Sequence, residues 1–309
     1  MARKKISIIG AGRVGSTTTQ LCAYKELGDL VLWNRTPEIA QGLALDLMET
    51  APIEGYDVNI IGTNDYSLTK NSDVVAITAG MQRQPGMTRE QLLEQNAQIV
   101  KAITTEAVKY SPNCILIVIT NPLDAMVYLA HKLSKFSKQK VIGMAGILDA
   151  SRYRSFIAKE LKVSVEDVSA MVLGGHGDFM VPLPAHTTVN GIPVKDLLFP
   201  EKINAIIERT RNAGAEILAL EKESSAFYAP AASLTQMIEA IVKDKHRVLP
   251  CAAYLNGEYG IKGIFMGVPV QLGSVGIEKI LELGLTDKEK EELMKSANSI
   301  KELVKLLKI

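Results

Sequence analysis

His176 stands between glycines in "LGGHGD", directly after an apolar run. Imidazole titrates near neutrality, so an accessible histidine is the natural general acid or base. Flanking glycines mark an exposed loop with room for a ligand, whereas His131, His186 and His246 suit core or surface positions better. Such a histidine needs an orienting carboxylate. Asp178 is only two residues away, a poor geometry for a side-chain bond, so Asp149 in "LDASR" is the better partner. Arg152 lies three residues after Asp149 on a predicted helix and shares its face. Its guanidinium is placed to grip a substrate carboxylate as a fork. Asn121 follows the run "ILIVIT", at a strand's carboxyl end where open α/β sheets bind ligands. Two further arginines, Arg83 and Arg89, occur in "AGMQRQPGMTR", immediately beyond another apolar run. There Gly80 and Gly86 offer hinge freedom, Pro85 limits the paths, and Thr88 with Gln91 makes a capping box that starts the next helix. This set describes proton transfer beside a bound carboxylate.

A second motif serves an anion of another kind. "ISIIGAGRVGSTTTQLCA" puts Gly10, Gly12 and Gly15 in G-x-G-x-x-G spacing between a strand and a helix. Such glycines allow a tight turn, close backbone approach to a pyrophosphate, and close helix–strand packing. The helix start adds partial positive charge. The second strand then ends "LVLWNRTPE", with Asn34 and Arg35 where an acid that binds the ribose hydroxyls is expected. Either Arg35 pairs with a 2′-phosphate, or it points to solvent while Asn34 bonds a plain ribose. The spacing leaves both open.

The elements that must carry these residues follow from the hydrophobic pattern. Up to residue 145, the runs "KISIIG", "DLVLW", "VNII", "DVVAIT", "CILIVIT" and "KVIGM" read as strands buried on both faces. Helical patterns at Pro37–Glu49, Arg89–Lys109 and Leu123–Leu133 separate several of them. This alternation predicts a doubly wound parallel sheet, an α/β Rossmann domain over residues 1–145. After Gly146 the rhythm changes to an α+β catalytic domain over 146–309. It should contain a hairpin at Asn190-Gly191, helices near Glu201–Leu220 and Ala229–Lys243, short strands with turns at Asn256-Gly257 and Gly267, and a final helix from Thr286. The 309 residues carry net charge +1, which points to neither nucleic acid nor an acidic membrane. Three scattered cysteines give no disulfide framework, and no run reaches the ~20 apolar residues of a membrane span. A cytoplasmic location is expected.

Five motifs in register, "GAGRVG", "AGMQRQPGMTRE", "TNPLDAM", "GILDASRYR" and "GGHGD", make the chain resemble the lactate/malate dehydrogenase family over essentially its full length, in particular the lactate-dehydrogenase-like malate dehydrogenase branch. The resemblance implies that His176 is the proton donor and acceptor and Asp149 its partner. It implies that Arg152 binds the carboxylate next to the reacting carbon, Asn121 contacts the substrate oxygen, Arg89 polarises the carbonyl, and Arg83 selects the substrate. Asn96 matches a position near the nicotinamide and its ribose. The implied cofactor set is Gly10, Ala11, Gly12, Arg13, Val14, Gly15, Asn34, Arg35, Asn96, Ile119 and Asn121. Asn34 departs from the family's usual Asp, so NADP(H) stands beside NAD(H).

Two loop arginines suit an anion with two carboxylates, since Arg152 holds only one. A buried guanidinium facing a methyl group is costly, and one facing a distal carboxylate is not. Malate and oxaloacetate therefore rank ahead of lactate and pyruvate, with a lactate or broader 2-hydroxyacid dehydrogenase as the alternative. A non-catalytic nicotinamide-binding protein would leave His176, Asp149 and the arginines unexplained. No metal is expected. The family resemblance implies a homo-oligomer, a tetramer ahead of a dimer, and a tricarboxylic acid cycle role.

Overall fold

Six apolar runs form the parallel part of one large sheet. The computed structural model describes residues 3–82, 86–222 and 225–307. Strands β1 (Lys5–Ile9), β2 (Asp29–Trp33), β3 (Ile60–Thr63), β4 (Val74–Ile77), β5 (Ile115–Val118) and β6 (Val141–Gly143) lie in the order β3-β2-β1-β4-β5-β6. Their pairings are all parallel. Every residue of β4 and β5 is buried. Layers on both faces leave no polar side, which is why these strands read as unbroken apolar runs. The covering helices are α1 (Arg13–Tyr24), α2 (Pro37–Glu54), α3 (Arg89–Tyr110) and α4 (Leu123–Ser134). Strand order reverses between β1 and β4, which places the ligand crevice beyond their carboxyl ends.

Local signals set the helix ends. Thr88 Oγ1 accepts the Gln91 amide at 3.1 Å, and the Gln91 side chain accepts the Thr88 amide at 2.9 Å, so the capping box that opens α3 is formed. Helix α2 runs past its expected end at Glu49. Pro52 falls within its last turn, and Gly55, at φ 76°, closes it by donating to the Ala51 carbonyl.

The chain continues through α5 (Gly146–Leu161), β7 (Val168–Ser169), β8 (Val172–Gly174), β9 (Met180–Pro182), β10 (Thr188–Val189), β11 (Ile192–Pro193), α6 (Val194–Leu197), α7 (Pro200–Glu221), α8 (Tyr228–Val242), β12 (Arg247–Asn256), β13 (Lys262–Gly273), β14 (Gly276–Ile280) and α9 (Asp287–Lys305). The β10–β11 hairpin turns at Asn190 and Gly191, both with positive φ (47° and 86°), as a two-residue turn of this type needs. Two expectations need correction. The strands after α8 are long, 10 and 12 residues in β12 and β13. Gly267 is not a turn; it sits inside β13, paired with Gly174 of β8. A Cβ at Gly267 would lie 2.6 Å from the Gly174 carbonyl oxygen, so glycine is needed for strand approach. The chain reverses instead around Gly276, at φ 94°.

Strand β12 joins β6 through the Ala252–Gly143 pair, so the sheet continues through β12, β13, β8 and β9. One core cluster correspondingly combines Ile6, Ile8 and Leu30 with Leu234, Ile238, Met266 and Val268. The His176 loop is thereby fixed to the same sheet as the glycine turn. Among the described residues, no helix is long and apolar enough to cross a membrane.

Candidate active site

The glycine turn is built for an anion. Gly12 is the N-cap of α1, with no side-chain cap and no acid in the first turn, so the first amides of the helix keep their donors for a ligand. A Cβ on Gly12 would meet nothing within 4 Å, which is the open space a pyrophosphate needs. Gly10 and Gly15 serve packing. Gly10, at φ 123°, lies where a Cβ would approach Ala79 N to 2.6 Å, and a Cβ on Gly15 would drive into the Gly10 carbonyl. Ala11 is buried, Val14 half-buried and Arg13 exposed. Arg13 reaches outward, 4.0 Å from Glu221 and 5.3 Å from the Phe227 ring, and so ties the turn to the α7–α8 connection.

At the end of β2, the Asn34 side-chain amide donates to the Thr36 carbonyl at 3.1 Å, in the bend that leads into α2. This fixes the side chain and leaves its oxygen as an acceptor for a ribose hydroxyl. Arg35 is exposed. Ile119 continues β5, its amide bonded to the Ile77 carbonyl at 3.1 Å.

Three residues from the sequence reading meet in one buried cluster. Asp149, only 1% exposed, bonds His176 Nδ1 through Oδ2 at 2.9 Å and Arg152 through Oδ1 at 3.3 Å. Each carboxylate oxygen thus has its own partner. Burial alone would lower the His176 pKa. The charge and hydrogen bond of Asp149, helped by Asp124, outweigh burial and the opposing Arg152 charge, so the pKa is raised above the ordinary histidine value. Burial lowers the Arg152 pKa against the pull of Asp149. Its Nε is buried with no hydrogen-bond partner among the described residues. A buried cation with a spare donor is suited to an incoming carboxylate.

Asn96, fully buried on α3, is a brace. Its Oδ1 accepts the Met81 amide at 2.7 Å, and its Nδ2 donates to the Met81 carbonyl at 3.1 Å and the Asn121 carbonyl at 2.6 Å. It thereby joins the start of the arginine loop to the residue beyond β5. The Asn121 side chain is exposed to the crevice. Gly80 is held by packing as well, because a Cβ there would lie 2.5 Å from the Thr120 methyl. Arg83 and Pro85 lie outside the described residues. Arg89 is the first residue of α3, and its side chain also lies outside the described part.

Two neighbours of His176 escaped the sequence reading. Asp124, in the first turn of α4, accepts the His176 backbone amide at 3.0 Å, and Ser296 Oγ on α9 accepts the Gly175 amide at 2.8 Å. The "TNPLDAM" motif contained Asp124, but a bond to a backbone amide has no residue-type signature at its other end. Ligand atoms of Asp244, His246 and Glu278 lie within 4.8 Å of one another, away from this cluster in sequence. Both His246 ring nitrogens already face carboxylates, Glu278 at 2.8 Å and Asp244 at 3.7 Å.

Comparison with known proteins places this geometry. The family model described as lactate/malate dehydrogenase, NAD binding domain, matches residues 4–143, and that of the alpha/beta C-terminal domain matches residues 147–308. The chain is 55% identical to the malate dehydrogenase of Anoxybacillus flavithermus over 99% of both chains. It is also 55% identical to that of Heliobacterium modesticaldum over 98% of both. The crystal structure of Cryptosporidium parvum malate dehydrogenase superposes with a TM-score of 0.96 at 46% identity, covering 98% of each chain. The lactate dehydrogenase of the same organism, complexed with lactic acid and nicotinamide adenine dinucleotide, superposes with a TM-score of 0.96 at 42% identity, covering 99% of this chain and 98% of that one. By full-length likeness in both sequence and fold, the chain belongs to the lactate/malate dehydrogenase family.

Proposed function

We propose that the chain is an NAD-dependent malate dehydrogenase that interconverts (S)-malate and oxaloacetate. The observation that carries this reading is the Asp149 carboxylate shared between His176 and Arg152, which sets a proton-transfer group beside an anion-binding one. The malate dehydrogenases among the relatives support the dicarboxylate substrate.

When bound, the nicotinamide supplies a hydride for reduction or accepts one for oxidation. The glycine turn and the α1 amides hold the pyrophosphate. Arg152 pairs with the near carboxylate of oxaloacetate, and Arg83 with the far one as its loop closes and excludes water. Protonated His176 gives its proton to the carbonyl oxygen, and Asp149 stabilises the imidazolium until then. Arg89 and Asn121 stabilise the negative charge that develops on that oxygen. In the oxidising direction, neutral His176 takes the hydroxyl proton.

The division of labour falls at residues 145 and 146, between β6 and α5. Asn34 in place of an acid leaves room for NADP(H) beside NAD(H). The exposed apolar side chains Ile39, Leu45, Met48 and Ile53 on α2 support a homo-oligomer, and we read it as a tetramer. A cytoplasmic enzyme of the tricarboxylic acid cycle fits the whole. Absorbance of the reduced nicotinamide, followed with oxaloacetate, pyruvate or no keto acid and with NADH or NADPH, tests the function and the cofactor together. Faster turnover of pyruvate than of oxaloacetate would overturn the malate reading.

A further inference from the structure

The loop that presents His176 is gripped at two consecutive backbone amides by buried side chains from two different helices. Ser296 on α9 takes the Gly175 amide at 2.8 Å, and Asp124 on α4 takes the His176 amide at 3.0 Å through Oδ2. Ser296 is wholly buried, and Asp124 is 5% exposed. A serine hydroxyl at such a place is unremarkable, but a carboxyl is not. Its Oδ1 is buried with no hydrogen-bond partner among the described residues, so the group keeps an unsatisfied polar oxygen that a single hydroxyl would not carry. Gly175 packs against the same carboxyl, since a Cβ there would lie 3.2 Å from Asp124 Oδ2.

We propose that Asp124 is a positioning residue for the proton-transfer step, holding His176 against Asp149 through the loop backbone and adding a second carboxyl to the surroundings of the imidazole. This rests on the reading of His176 as the proton shuttle. Burial pushes the Asp124 carboxyl up to about 7, against the pull of His176 and with the help of the nearby Asp149 charge. Its charge in turn helps to raise the His176 pKa, so the two titrations are coupled. Arg152 on α5 opposes the imidazolium. Glu90 from α3, Asp178 from the loop and Glu302 from α9 line the adjoining cavity of about 480 Å³.

The test uses the full chain with Asp124→Asn and Asp124→Ala, beside His176→Asn. Cofactor affinity is read by NADH fluorescence, folding by thermal melting, and kcat and KM for oxaloacetate across pH. Asn keeps an oxygen to accept the His176 amide but carries no charge. The expected result is a near-parental kcat at low pH, with the upper pH midpoint of oxaloacetate reduction lowered by roughly half a unit or more. Ala removes the grip as well, and its kcat should fall about ten- to a hundred-fold with NADH affinity unchanged. An Asn variant with the parental midpoint and an Ala variant within about threefold of the parental kcat would together overturn the proposal. If the Ala variant fails to fold, the Asn midpoint decides alone. Inactive His176→Asn with unaffected Asp124 variants overturns this proposal only, whereas appreciable turnover by His176→Asn overturns the shuttle reading and the proposal with it.

Discussion

Replacing Asp149 by asparagine is the sharpest perturbation of the buried cluster, because the two side chains differ by one acceptor and one charge. In the parent, Oδ2 serves His176 at 2.9 Å and Oδ1 serves Arg152 at 3.3 Å. The amide has a single oxygen, so one partner must lose its acceptor and face an NH₂ group instead. If the oxygen stays with His176, the imidazole keeps its orientation but loses the charge that stabilises its protonated form. A hydrogen bond to a charged group contributes about 1.5–3 kcal/mol. At about 1.4 kcal/mol per tenfold, kcat for oxaloacetate reduction should fall by about 10- to 150-fold. Arg152, 13% exposed, then loses its only ion pair among the described residues, and its misplacement should raise KM for the keto acid. Losses in both constants put kcat/KM down by roughly three orders of magnitude. Because Asp149 leads the forces that raise the His176 pKa, the upper pH midpoint of reduction should also move down. Steady-state assays of NADH oxidation across pH measure all three. A variant with kcat within about threefold of the parent and an unmoved midpoint would refute the argument that this carboxylate controls the imidazole.

The parent itself should show opposite pH responses in the two directions: oxaloacetate reduction falls as pH rises through the raised His176 pKa, and malate oxidation rises through it. The same group links to stability: a raised histidine pKa gives stabilisation that is complete below the unfolded-state value near 6.5 and is lost as pH rises through the folded-state value, which thermal melts across pH will detect. Arg83→Gln should lower oxaloacetate turnover sharply and narrow or reverse its advantage over pyruvate; unchanged selectivity in competition assays would remove Arg83 from the substrate site. Gly15→Ala should lower both melting temperature and NADH affinity, since the added methyl meets the Gly10 carbonyl and backbone must move, a strain of about 1–3 kcal/mol. Normal NADH titration of that variant would show that the turn tolerates opening.

The parallel sheet was legible because burial on both faces leaves a continuous apolar run, a local signal in four to seven letters. The capping box of α3 was legible for the same reason, since Thr88 and Gln91 need only each other; Thr286 and Glu289 form a second one at the start of α9. The second half was harder. Gly267 carries a turn-forming letter, yet its role is set by β8, whose Gly174 carbonyl lies within 2.6 Å of where a Cβ would stand. A glycine required by a distant backbone looks, in sequence, like a glycine required by a turn. The length of β12 and β13 was hidden likewise, because Pro250, Pro269 and several glycines interrupt the pattern that a long strand usually shows.

The same distinction divides the site. Asp149 and Arg152 could be paired by helical spacing, and His176 joined to them because the near acid, Asp178, has the wrong separation for a side-chain bond. Those inferences compare side chains with side chains, where residue type carries the chemistry. Asp124 and Ser296 act on backbone amides 52 and 121 positions away, and an amide looks the same in every residue but proline. Such contacts leave no trace at their far end. What the letters expose is the reacting group and its charged partners; what they conceal is the scaffold that aims the group, because aim is enforced through the one part of the chain that has no sequence. The buried carboxyl at Asp124 is informative for that reason: an expensive side chain spent on a backbone contact marks a place where position alone was not enough.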